Sequence, residues 1–254
     1  MATTPETPRQ PLFYVEPQPL NLPQHRDMRV QNGDYAFTSE ALAMPAVIGE
    51  FADLSRTYPI LFAAGDNGGP IALLGVDATN TFVSNGSWEE GAYIPAYIRR
   101  HPFALMALTD TAKPEEYVLA IDVGCGRITT GGSDGAALFD GEEPSAFVKE
   151  MLNFCSAYSA DGLVTAEFCK ALRAKGLLLD QRLDGTLPDG QKIGLDGFQV
   201  IDGKKLTDLD AETVVDWHRR GWLAACFFHL ASLQRVGEIL NRRAKIATPI
   251  KPAA

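Results

Sequence analysis

An α+β fold is predicted from three observations. Short apolar runs separated by turn residues fill the first half of the chain, with Ile60-Leu61-Phe62-Ala63 and Ile71-Ala72-Leu73-Leu74 as the clearest pair. Helix-periodic apolar stripes fill most of the second half. No regular strand–helix–strand alternation of the kind that builds a parallel sheet is visible. Repeats, heptads and Gly/Ser linkers are also missing from the sequence. One domain over residues 13–246 is therefore expected, after a disordered Pro-rich leader (1–12) and before a tail (247–254).

Each element has a local cause. An extended arm is predicted near Phe13–Val15, where the Pro-rich leader gives way to aromatic and β-branched residues. His25–Val30 is read as a short strand, closed by a turn at Asn32-Gly33-Asp34. Met44–Tyr58 reads as loop then helix, with Pro45 suited to a first helical position and Pro59 as the stop. Asp66-Asn67-Gly68-Gly69 turns a hairpin between the two strongest apolar runs. Thr81-Phe82-Val83 is a further strand, Phe103–Leu108 and Tyr117–Val123 form a strand pair, and Ala136–Phe139 is a short edge.

Helices begin at Glu143. Phe147, Met151, Phe154 and Tyr158 make one apolar stripe, Asp161-Gly162 is expected to break it, and a second helix follows over Thr165–Lys175. Gly176-Leu177 fits a left-handed cap. Four Asp-Gly pairs at 184, 189, 196 and 202 predict a small β-meander over residues 177–206. Thr207-x-x-Asp210 caps the last helical region. Gly221 interrupts it, and Trp222, Cys226, Leu230, Leu233, Val236 and Leu240 form the stripe of a final helix.

Composition narrows the function. A net charge of −9 argues against a general nucleic-acid binder, leaving Arg99-Arg100 and Arg242-Arg243-Ala244-Lys245 as two local basic patches. No run approaches the ~20 apolar residues that span a bilayer, so no membrane span is expected. Without an apolar signal segment at the start, the expected location is cytoplasmic; signal-independent export to the cell surface is the alternative. The four cysteines, at 125, 155, 169 and 226, form no Cys-x-x-Cys pair and read as free buried thiols of a reducing compartment.

The most unusual segment is Trp88–Phe103, where Trp88, Tyr93 and Tyr97 surround Pro95, Arg99-Arg100-His101-Pro102 and Phe103. Guanidinium groups need water or partners, whereas rings favour burial. Two readings follow. Arg99 and Arg100 clamp a carboxylate or phosphate, with Trp88, Tyr93 or Tyr97 stacking and His101 donating nearby. Alternatively the segment is structural, its prolines fixing turns, its rings filling the core and one arginine pairing with Glu50 or Asp122. Cys125, between glycines in Val-Gly-Cys-Gly-Arg, is the best candidate for a reactive thiol, but no histidine partner is obvious from the sequence.

Other chemistries lack their motifs. Cys226-x-x-His229 puts two potential ligands on one helical face, short of the three or four a zinc site needs. There is no His-x-His, His-Glu-x-x-His, Gly-x-Ser-x-Gly, Walker or dinucleotide sequence, and the acidic stretch Asp134–Glu143 fits no EF-hand. No metal and no cofactor are expected, and no catalytic residue can be assigned.

Several segments in order carry a resemblance: Glu50-Phe51 with Tyr58-Pro59-Ile60-Leu61-Phe62, Trp88 with Tyr93-Ile94-Pro95, and Ile98-Arg99-Arg100-His101-Pro102-Phe103. Ile121-Asp122, Leu138-Phe139-Asp140-Gly141, Leu195–Asp202, Gly221-Trp222-Leu223 and His229–Leu233 continue it. Together they resemble the SapC family of bacterial proteins over about residues 13–243. The family name comes from a protein linked to surface layers and serum resistance, and is shared with an unrelated permease that this sequence cannot be. The resemblance brings no established catalytic residues. It implies an accessory role, since similar proteins are often encoded near halogenase-like and cupin-like proteins and TonB-dependent receptors, a setting of nutrient uptake or peptide modification.

The expected function is thus that of a non-enzymatic accessory protein recognising a partner protein, a peptide or a small anionic ligand. Its expected binding residues are Trp88, Tyr93, Tyr97, Arg99, Arg100 and His101, supported by Glu50, Asp122 and Cys125. The alternative is an enzyme with a deep pocket around Trp88–Phe103. The sequence does not fix the oligomeric state.

Overall fold

The structure, a computed structural model, describes residues 11–77, 79–108, 116–186, 190 and 192–247. The expected leader up to residue 10, most of the Thr109–Glu116 connection, Asp189 and the tail from residue 248 lie outside the described residues. The fold is α+β, built from small antiparallel sheets and helices. The chain groups into two compact units, one of residues up to 33 with 100–159, the other of residues 34–99 with 160 onward.

In the first unit, strand Tyr117–Asp122 is central to a three-stranded antiparallel sheet, between Phe103–Ala107 and Pro17–Pro19. The predicted strand pair is present, with Phe103 opposite Ile121. The N-terminal arm forms its strand at Pro17–Pro19, a little beyond the predicted position. Prolines are tolerated there because an edge strand can do without their N–H groups. Met28–Val30 is a strand, but His25 closes a four-residue helix, Leu22–His25, capped by the Asn21 side chain. Val30, Phe103, Leu119, Ile121, Leu138, Val148 and Cys155 form the core. Phe147 and Met151 pack against it, as their stripe predicts.

In the second unit a five-stranded antiparallel sheet runs in the order Leu178–Thr186, Lys192–Ile201, Ile60–Ala63, Pro70–Leu73, Ala43–Pro45. The Ile60–Leu73 hairpin is the one predicted. Helix Trp222–Ser232 packs on the sheet: the His229 ring accepts the Ile201 N–H at 3.0 Å, and Ser232 Oγ accepts the Ile60 N–H at 2.9 Å. Phe168, fully buried, touches Phe51, Phe62, Trp217 and Trp222.

Several predictions need correcting. Asp161-Gly162 does not break the helix: Ala146–Ala174 is one helix of 29 residues, contributing to both units. Mid-helix glycine costs only about 1 kcal/mol against alanine, and Asp161 is held from outside the helix, accepting the Gly49 N–H at 3.0 Å. The helix does end at Gly176 (φ +62°), where the Leu177 N–H reaches Leu172 O and the Gly176 N–H reaches Arg173 O. The β-meander is instead one long hairpin. Asp184-Gly185 and Asp196-Gly197 lie inside its strands; the register shifts between Gln181 and Leu183, and Gly197 (φ +74°) lies opposite that irregularity.

Three further differences concern ends of elements. The helical part of Met44–Tyr58 shrinks to Ile48–Glu50 and Phe51–Leu54, because Ala43–Pro45 joins the sheet. Of Thr81-Phe82-Val83, only Val83 is in a strand, Val83–Ser84, which pairs with Ser87–Trp88. Asp210, not Thr207, caps Ala211–Arg219, accepting the Thr213 N–H at 2.8 Å. Gly221 (φ +75°) separates the last helices as predicted, but the final stripe is split by a 3-10 turn at Leu233–Arg235.

Candidate functional site

The Trp88–Phe103 segment contributes to two separate constellations, because the division between the units falls between Arg99 and Arg100.

The first is built around Glu50. Its side chain is 5% exposed and accepts three hydrogen bonds: Val47 N–H at 3.2 Å, Ala96 N–H at 2.9 Å and the Tyr93 hydroxyl at 3.1 Å. Burial pushes the Glu50 carboxyl up from its ordinary value, while these donors and the Arg99 charge pull it back. Tyr93 is itself pushed up to about 12 by burial and the nearby carboxylate, so it stays a neutral phenol. Its oxygen accepts from Arg99 Nη2 at 2.8 Å, Arg99 Nε donates to Ile94 O at 2.9 Å, and the guanidinium lies 5.3 Å from the Tyr93 ring centre. Arg99 is exposed at the end of the short helix Ala96–Arg99.

Behind this face the rings pack inward. Trp88 and Tyr97 are buried, and the Trp88 indole N–H donates to the Tyr58 hydroxyl at 3.2 Å. Tyr58 in turn donates to Tyr93 O. Of the residues proposed to stack on a ligand, Trp88 and Tyr97 are thus core side chains, and Tyr93 alone is half-exposed. Phe82 meets the Tyr58 ring edge-on and stacks with Trp88, and Arg242 lies 4.4 Å from its ring centre. Arg242 pairs with Glu89, with one contact at 2.9 Å, and Arg243 pairs with Asp77 at 2.9 Å. These pairings offset two of the three cations in the basic patch predicted at Arg242-Arg243-Ala244-Lys245. They link residues more than 150 apart, which no local spacing reveals.

The second constellation is in the other unit. The Arg100 guanidinium lies 4.8 Å from the Tyr158 ring centre and 5.6 Å from that of Tyr14. Tyr14 donates to Phe103 O at 2.5 Å and meets the His101 ring edge-on. Asp122, fully buried, accepts the Val15, Glu16 and Gly124 N–H groups at 3.0, 2.6 and 3.2 Å. His101 Nε2 is 3.6 Å from Asp122 Oδ2. Burial lowers His101 to about 4, against the pull of Asp122, so the imidazole is neutral at pH 7; burial likewise raises the Cys125 thiol.

One donor atom each from His101, Asp122 and Cys125 lies within 4.8 Å of the other two. Cys125 therefore does have a histidine neighbour. The signal was present in the predicted strand pair: with Phe103 opposite Ile121, residues 101 and 122 must share one end of the hairpin. Glu50 supports the Tyr93–Arg99 face, whereas Asp122 and Cys125 gather around His101.

Two cavities lie elsewhere among the described residues. One, about 640 Å³, is lined by residues such as Arg26, Arg29, Thr130 and Phe139; the other, about 290 Å³, is lined mainly by Leu61, Leu73, Leu183, Leu195 and Phe198. No helix among the described residues is long and apolar enough to cross a membrane. The four cysteines are unbridged.

A family model described as SapC matches residues 20–239 of the 254. Searches of the curated proteins and of the solved structures gave no match.

Proposed function

The chain belongs to the SapC family, and from that premise we propose that it is a non-catalytic accessory protein that recognises an anionic group of a protein or peptide partner at the Tyr93–Arg99 face. The observation that carries this reading is the exposed Arg99 guanidinium held by Ile94 O and by the hydroxyl of Tyr93, which is anchored on buried Glu50. An arginine already ordered in this way loses less side-chain entropy on meeting a carboxylate or phosphate. Its planar fork suits both groups, and Arg and Tyr are the residue types enriched at binding hot spots. The unbridged thiols support a reducing, cytoplasmic setting for this role. A contribution to nutrient uptake or surface-layer biology is the wider context that family membership suggests.

The test is affinity purification from the producing bacterium with wild type, Arg99→Lys and Arg99→Glu, each shown to be folded by circular dichroism. The reading expects a partner retained by wild type, weakened by lysine and lost with glutamate. Equal retention by all three would remove Arg99 from the interface.

A further inference from the structure

We propose that His101, Asp122 and Cys125 form a binding site for one divalent transition-metal ion of zinc type. The proposal is independent of the Tyr93–Arg99 reading, since it uses none of those residues.

The hairpin supplies the geometry. His101 stands just before strand Phe103–Ala107, and Asp122 ends the paired strand Tyr117–Asp122. Cys125 sits in the turn that follows, its N–H on Asp122 O at 3.4 Å. The three donors thus come from one end of one hairpin rather than from mobile surface groups. Their mutual separations, within 4.8 Å, need to close only modestly. Tetrahedral ligands at zinc distances stand roughly 3.3–3.7 Å apart.

The surroundings are those of an oriented ligand set. The Val15, Glu16 and Gly124 N–H groups fix the Asp122 carboxylate, and Arg127 Nη1 holds the His101 carbonyl at 3.1 Å. Hydrogen bonds of this outer kind set ligand orientation in metal sites. His101 and Asp122 are buried and Cys125 is half-buried, so Cys125 is the most exposed of the three residues.

Donor chemistry selects the ion. One nitrogen, one oxygen and one sulfur suit zinc or cobalt(II); magnesium and calcium require mainly oxygen ligands. Binding moves the Cys125 thiol proton to solvent and forms a metal–sulfur bond, so thiolate and carboxylate together match the ion's two charges. Three protein ligands leave a fourth position open. Arg100 and Arg127 both lie near His101 and oppose a bare cation. Their charge favours an anion in that fourth position.

The experiment uses the full chain, stripped with chelator and titrated with cobalt(II) as the probe. The proposal expects one equivalent to produce a thiolate-to-cobalt charge-transfer band that zinc(II) abolishes. Cys125→Ser should lose the band, and Asp122→Asn should weaken cobalt binding by at least about tenfold. A second readout needs no variant: zinc(II) should slow alkylation of Cys125, followed by mass spectrometry, by at least about tenfold. A wild-type protein without the band, a band that survives in folded Cys125→Ser, or an alkylation rate unchanged by zinc overturns the proposal.

Discussion

The Tyr93 hydroxyl donates to the buried carboxylate of Glu50 at 3.1 Å. Through the same oxygen, Tyr93 accepts from Arg99, so the exposed guanidinium rests on a phenol that rests on a carboxylate. Three donors converge on Glu50, and its loss leaves the Ala96 and Val47 N–H groups without their acceptor. Glu50→Ala should therefore destabilise the protein by about 2–4 kcal/mol, measured by urea unfolding. Glu50→Gln keeps one carbonyl acceptor and should cost less than half as much. Burial raises the folded-state pKa of Glu50, so its ionisation opposes folding as pH rises and a neutral replacement is tolerated. Equal losses in the two variants would show that one retained carbonyl oxygen does not serve the three donors.

The Tyr58 hydroxyl joins the Trp88 indole N–H to Tyr93 O. Tyr58→Phe removes both bonds inside the core and should cost about 1–3 kcal/mol. A double-mutant cycle with Trp88→Phe should show a coupling of at least about 0.5 kcal/mol. Additive effects would mean that the two rings are stabilised independently.

Gly162 lies within the continuous helix Ala146–Ala174, and a Cβ there meets nothing within 4 Å. Gly162→Ala should raise stability by about 0.5–1 kcal/mol in thermal or urea unfolding. Destabilisation would restore the helix break that Asp161-Gly162 suggests in the sequence.

His229 is fully buried, and burial lowers it from 6.5 to about 4. Its ring must stay neutral to accept the Ile201 N–H. Because the folded pKa is depressed, its contribution is complete above the unfolded value and is lost as pH falls from 6.5 toward 4. The loss attributable to this group approaches about 3 kcal/mol at the acid end. Comparing urea unfolding of wild type and His229→Gln from pH 7 to pH 4.5 isolates it: the wild type should lose more stability across that range. Parallel curves would show that the ring is already protonated in the fold, or that it is not buried.

Local signals were legible wherever one interaction dominates. Continuous apolar runs on either side of Asp66–Gly69 specified the Ile60–Leu73 hairpin, and Gly176-Leu177 specified a helix end. Where two local signals compete, tertiary structure decided. Asp-Gly at 184 and 196 is a turn signal, but long-range pairing absorbs both within strands. Of the site, the residue types were readable but not their grouping. Arg99 and Arg100 are neighbours in sequence, yet Arg99 stands on Tyr93 while Arg100 faces Tyr14 and Tyr158. The pairing of Arg242 with Glu89 depends on helix packing, which spacing alone does not encode.

The most direct measurement of the central claim is an NMR titration that follows the Arg99 Nε–H signal. The probes are inorganic phosphate, an acidic peptide with a free C-terminal carboxylate, and the same peptide neutralised by amidation and Gln-for-Glu replacement. A recognition face at Tyr93–Arg99 predicts a saturable shift with at least one anionic probe, none with the neutral peptide, and loss of the binding isotherm in Arg99→Met followed at Tyr93. A shift of the same size with neutral and anionic probes, or no shift with any of them, would contradict it.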